Sequence, residues 1–176
     1  MRLAVAFFFA LTAQALAQQA PEPSETTETF GSWTVRCVAQ QGSETKACEV
    51  VLAISGQGGL IAQVAFGRPE GSEGTVLAVR TPLGVLVSSP VVITAQSDGA
   101  SPVNIPFVTC LATGCLAQTQ VAAQPLGDLA AAETAAIEFA ERSGRKVRIN
   151  IPLSGLKDAL TRIGLDCSNG PCEPAD

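Results

Sequence analysis

After Phe30, apolar and polar residues alternate with a period of two along most of the chain. In FGSWTVRCVAQ, residues 30–40, Trp33, Val35 and Cys37 fall on one side and Ser32, Thr34 and Arg36 on the other. That is the signature of a strand with one buried face, and it assigns Trp33 to the core. ACEVVLAIS, LIAQVAFG, GTVLAVR, PLGVLVS, PVVITAQ and VNIPFVTCL read as further strands, with turns at 56–59, 68–74, 88–90 and 97–102. Strands this close together leave no room for the long crossovers of βαβ units, so the chain reads as an all-β sandwich or barrel.

Two segments break the alternation. LGDLAAAETAA, residues 126–136, is alanine-rich and predicts a short helix with Asp128 as N-cap. AIEFAER then resumes a strand, and Ile137 and Phe139 against Val147, Ile149 and Ile151 describe a hairpin closed by Ser143-Gly144. In SGLKDALTRIG, residues 154–164, Leu156, Leu160 and Ile163 recur at helical spacing, with Ser154 as cap and Gly164 as stop.

The first residues set the compartment. Met1 and Arg2 precede an apolar run, Leu3 to Leu11, which ends at Ala15-Leu16-Ala17. This predicts a secretory signal peptide, residues 1–17, cleaved after Ala17. Its apolar core falls well short of the ~20 residues of a membrane span, so no integral span is expected after cleavage. An uncleaved N-terminal anchor is the alternative. No Cys stands immediately after the cleavage point, so a lipid anchor is not indicated. Residues 18–29, rich in Gln, Pro and Glu, read as a disordered leader, and 30–176 as a single domain with a disulfide-bearing C-terminal tail. The expected locale is the periplasm or the exterior, possible attachment to the cell surface included.

Six cysteines remain, an even number in an oxidising compartment, which favours disulfides. Cys110 and Cys115 can face one another across the turn Leu111 to Gly114, and Cys167 and Cys172 across Ser168-Asn169-Gly170-Pro171. Cys37 and Cys48 are left to join the arms of a hairpin with a polar centre. Zinc is the rival reading of the two Cys-x4-Cys pairs, but the chain has no His and the compartment oxidises thiols. A thioredoxin-like role lacks its Cys-x-x-Cys.

Charge and composition exclude more than they select. The formal net charge is -5 and the pI about 4.7, which disfavours a nucleic-acid partner. With no His, no Tyr and no Gly-x-Ser-x-Gly, nothing in the sequence singles out an activated nucleophile. Nothing singles out a pair of carboxylates, although a hydrolase built on scattered acids remains a third reading. GQGG at 56–59 lacks phosphate-loop spacing and reads as a turn. No catalytic residue, cofactor site or metal site is assigned. The one concentrated feature is ERSGRKVR, where Arg142, Arg145, Lys146 and Arg148 gather in an acidic chain. They make either a solvated, edge-protecting hairpin tip or a patch for an anionic partner. Apolar residues in PLGVLVSSPVV are read as a buried central strand in preference to an exposed interface.

Taken together, Gly31-x-Trp33 leading into Cys37, then Cys48, TPLGVLVSSPVVI, FVTCLATGC and IPLSGLKDAL resemble the invasion-associated locus B family of alphaproteobacterial secreted proteins. The resemblance runs from about Phe30 to Gly164. It implies an immunoglobulin-like β-sandwich, exported, with a virulence-related role in host-cell entry and no catalytic residues to carry over. In the family, Gly is usual where this chain has Ser89-Pro90, and the Cys167–Cys172 tail looks like an addition. The expected function is binding to a protein or envelope component at the cell surface, contributing to host-cell interaction or invasion. The alternative is a periplasmic accessory protein for envelope integrity or stress tolerance.

Overall fold

The computed structural model describes residues 24–39, 46–69, 72, 74–167 and 170–174. The expected signal peptide and the leader up to residue 23 lie outside them. A run of hairpins comes first: β1 (Glu25–Phe30), β2 (Trp33–Ala39), β3 (Lys46–Gly56), β4 (Gly59–Gly67) and β5 (Thr75–Thr81). The chain crosses over for β6 (Val91–Ala95) and β7 (Val103–Ile105), then returns for β8 (Phe107–Leu111) and β9 (Gly114–Val121). Helix α1 (Ala123–Ala131) leads to β10 (Thr134–Ala140) and β11 (Lys146–Pro152). Helix α2 (Leu156–Arg162) precedes a small ladder of β12 (Leu165–Asp166) with β13 (Glu173–Pro174).

The first sheet has the order β1-β2-β3-β4-β5-β9-β8 and the second β11-β10-β6-β7. Neighbours in both are antiparallel, as their hairpin connections require. One face of each sheet feeds a common core: Trp33, Val35, Val64, Phe66, Leu77 and Val79 from the first, Val91, Ile93, Ile105 and Ile137 from the second. Trp33 is fully enclosed, its ring centroid 5.7 Å from that of Phe66. Leu126 and Leu129 of α1 and Leu156 and Leu160 of α2 extend the same core. Each such side chain stabilises the fold by about 1.5–3 kcal/mol, an upper estimate since the unfolded chain is partly compact. The fold is the expected all-β sandwich with two short helices; alternation alone left a barrel open.

The three disulfides are the expected pairs: Cys110–Cys115 and Cys167–Cys172, assigned from their short loops, and Cys37–Cys48, the pair left over. The first two tie directly opposed residues of β2 with β3 and of β8 with β9. The third holds the tail, whose Cys172 N–H donates to Ala123 O at 3.0 Å. Gly127, inside α1, makes room for it, because a Cβ there would lie 2.1 Å from Gly170 O.

Five expectations need correction. Residues 25–29, placed in the disordered leader, are strand β1, in register from Glu25↔Val38 to Phe30↔Trp33. Its polar side chains hide it from a periodicity test, but an edge strand gains its ladder without burial, and Glu28 also binds Arg162 at 2.8 Å. VNIPFVTCL is two strands in different sheets, divided at Pro106, which has no N–H for a ladder while its carbonyl accepts Gln118 N–H at 3.0 Å. PLGVLVS is no central strand: Gly84 has φ 90, only Val85 forms an isolated bridge, to Glu141, and Leu83 and Val87 are 58% and 55% exposed. This segment carries the chain from one sheet to the other. Asp128 does not cap α1, which begins at Ala123 after Ala122; Asp128 accepts from Gln124 Nε2 at 2.8 Å within the helix. Ser154 does not cap α2, whose N-cap is Gly155 at φ 85, whereas Gly164, φ 83, stops it as expected.

Candidate functional site

The β10–β11 hairpin sets Glu138 opposite Arg148, Phe139 opposite Val147 and Ala140 opposite Lys146. Its tip is closed by Glu141 N–H donating to Arg145 O at 2.8 Å and Gly144 N–H donating to Glu141 O at 2.7 Å, with Gly144 at φ 86. The four cations singled out in the sequence are all exposed here, but they divide into two kinds. Arg145 grips Glu141 through Nε at 2.9 Å, and Arg148 pairs with Glu138 across the ladder. Arg142 and Lys146 make no ion pair among the described residues. Ion pairs this exposed contribute little to stability, about 0–1 kcal/mol, yet they do cancel half of the patch's charge. What remains for an anion is a pair of side chains, Arg142 and Lys146.

Beneath the tip lies a groove of about 650 Å³. One wall is the β3–β4 turn, Gly56 to Gly59, with Leu60 and Ile61; another is the crossover, Pro82 to Val85; the hairpin supplies Phe139, Val147 and Arg142. GQGG forms the turn its composition predicts, and it faces the crossover, which no local feature of the sequence indicates. The crossover is fixed to the hairpin by Leu86 N–H donating to Ala140 O at 2.8 Å and Arg142 N–H donating to Gly84 O at 2.7 Å. The groove is therefore part of the folded framework. The signal that could have revealed it is the Pro82-Leu83-Gly84 run: a Pro and a Gly two residues apart fit a loop better than a central strand.

Among the described residues, no three His, Cys, Asp or Glu side chains gather in a way that could hold a metal. Every cysteine is in a disulfide.

Comparison with known proteins adds the family. The sequence pattern of the family described as "Invasion associated locus B (IalB) protein" matches residues 33–164. The chain belongs to the IalB family. Among solved structures it is similar to the crystal structure of invasion associated protein B from Bartonella henselae, at 21% identity over 78% of this chain and 94% of that one, with a TM-score of 0.67. Identity this low carries the fold and nothing further. No curated protein matches the chain.

The IalB span begins at Trp33, the buried anchor of β2, and includes both cross-strand staples, the crossover and the whole β10–β11 hairpin. It stops at residue 164, before the Cys167–Cys172 tail. Both the groove and the tip thus lie within the IalB region. No helix among the described residues is long and apolar enough to cross a membrane.

Proposed function

We propose that this IalB chain is exported and acts without catalysis, contributing to host-cell interaction or invasion by binding an anionic component of a cell surface or envelope. The observation that carries the reading is the IalB match over residues 33–164, a family described as invasion associated. Two features of the chain support it. Residues 1–17 have the charged start, apolar run and Ala-x-Ala end of an export signal. The β10–β11 tip presents Arg142 and Lys146, which make no ion pair among the described residues, so an anion approaching this chain of net charge -5 would meet two adjacent free cations there.

The test is charge reversal at those two residues. Purified R142E/K146E protein should bind host cells or isolated envelopes roughly 5- to 30-fold more weakly at low salt, the effect of about 1–2 kcal/mol. The difference should shrink as ionic strength rises and the screening length falls to ~8 Å. Equal binding of the variant at low salt refutes the tip as the contact. A deletion strain separates the roles: normal attachment together with detergent sensitivity assigns the protein to envelope integrity and rejects host interaction.

A further inference from the structure

We propose that the groove beneath the hairpin tip binds the single chain of a free anionic amphiphile, a fatty-acid-like molecule whose carboxylate is held by Arg142. This deepens the preceding reading, because Arg142 belongs to the same tip, but it rests on different observations. The groove, about 650 Å³, falls within the size range of small-molecule sites, and its walls are Leu60, Ile61, Pro82, Leu83, Phe139 and Val147 together with the glycine-rich turn. Sugars, nucleotides and peptide backbones need several directional donors and acceptors. Apart from charged groups, the only polar side chains among the described residues lining it are Gln57 and Ser143.

The two charged liners are not equivalent. The Glu141 carboxylate is already occupied by Arg145, with Nε at 2.9 Å, whereas Arg142 makes no ion pair among the described residues. An apolar trough with one uncompensated cation on its lining is complementary to a chain carrying one negative head. A neutral chain would leave Arg142 unused, and a cationic one would oppose it. The backbone of Arg142 is tied to Gly84 O at 2.7 Å, so the residue is held beside the apolar wall that the crossover provides.

The experiment uses the disulfide-bonded protein and two probes, oleate below its aggregation concentration and oleyl alcohol, which has the same chain and no charge. Oleate should bind saturably, one per chain, and at least tenfold tighter than the alcohol. Arg142→Glu should weaken oleate about tenfold or more while leaving the alcohol unchanged. Leu83→Asp, at a position 58% exposed and so tolerant of substitution, should weaken both; circular dichroism and melting confirm that it folds. Equal affinity for the two probes, oleate binding indifferent to either substitution, or binding only to oleate-containing phosphatidylcholine vesicles would each overturn the proposal. Two variants distinguish the readings: oleate lost with attachment intact in L83D leaves the tip standing as a separate contact, and attachment lost with oleate binding intact in Lys146→Glu, which is outside the groove lining, places the loss at the tip and not in the groove.

Discussion

Gly155→Ala should be among the most damaging single-methyl additions available in this protein. Gly155 sits at φ 85 as the N-cap of α2, and a Cβ there would lie 2.1 Å from Phe30 O and 2.4 Å from Phe30 C. Gly31, at φ 56, answers it from the other side, with a Cβ position 2.4 Å from Ser154 O. Between them Ser32 N–H donates to Ser154 O at 3.1 Å. The left-handed backbone costs an L-residue about 1–2 kcal/mol, the forced backbone displacement about 1–3, and the disturbed hydrogen bond about 1. The sum, about 3–6 kcal/mol, is a large part of the ~5–15 kcal/mol that holds a domain together. At ~2–4 °C per kcal/mol the melting temperature should fall by about 6–24 °C. Gly164→Ala is the matched control: φ is 83 there too, but nothing lies within 4 Å of the added Cβ. It should lose only the left-handed cost, about 1–2 kcal/mol. Urea and thermal unfolding of both variants under nonreducing conditions decide it. If the two melt within about 3 °C of each other, close backbone approach is not what requires glycine at Gly155.

Gly127→Ala is expected to destabilise although alanine raises intrinsic helix propensity by about 1 kcal/mol. Its methyl would occupy the place of Gly170 O, so hydrogen exchange at the Cys172 amide, bonded to Ala123 O, should accelerate; unchanged exchange would count against tail docking. The Glu28 carboxyl is held below the usual glutamate value, chiefly by its hydrogen bond from Arg162 and secondarily by that residue's charge. A depressed carboxylate contributes stability that is present above its unfolded pKa and lost as pH falls through the folded one. The stability gap between wild type and Glu28→Gln should therefore close on acidification below the ordinary glutamate range, and an NMR titration placing Glu28 at or above that range would contradict it.

The legible parts of the sequence were those where burial imposed a period. Trp33, Val35 and Cys37 announce β2 because every second side chain enters the core. Leu156 and Leu160 announce α2 for the same reason. β1 was illegible because edge pairing stabilises it with five of its six residues exposed, so no apolar stripe is written into ETTETF. The caps failed on another ground. Asp128 and Ser154 are good cap residues by type, but α1 begins where β9 and the tail require it, and α2 begins where Gly155 can interlock with Gly31. Both are tertiary demands that override local preference. At the tip, the sequence showed four cations and hid their partners: Glu141 and Glu138 are assigned to Arg145 and Arg148 only once the hairpin register is known.

The same logic explains why one staple bears on the groove and another does not. Cys37–Cys48 lies toward the opposite end of β3 from the Gly56 turn, away from the groove. Cys110–Cys115 closes the β8–β9 hairpin where Cys115 stands opposite Thr81, the last residue of β5 before the crossover. Gly114, φ 134, brings the hairpin backbone so near that a Cβ would meet Thr81 O at 2.3 Å. The crossover thus leaves the first sheet under a covalently closed turn and is caught again by β10 at Ala140 and by Arg142, through Leu86 N–H and Gly84 O. Between those fixed points Leu83 can stay exposed without the segment collapsing onto the core, which a freely moving apolar loop would do. An apolar wall held open in this way has lost its conformational freedom during folding rather than on contact, so a ligand or partner that covers it gains the burial with little ordering cost left to meet.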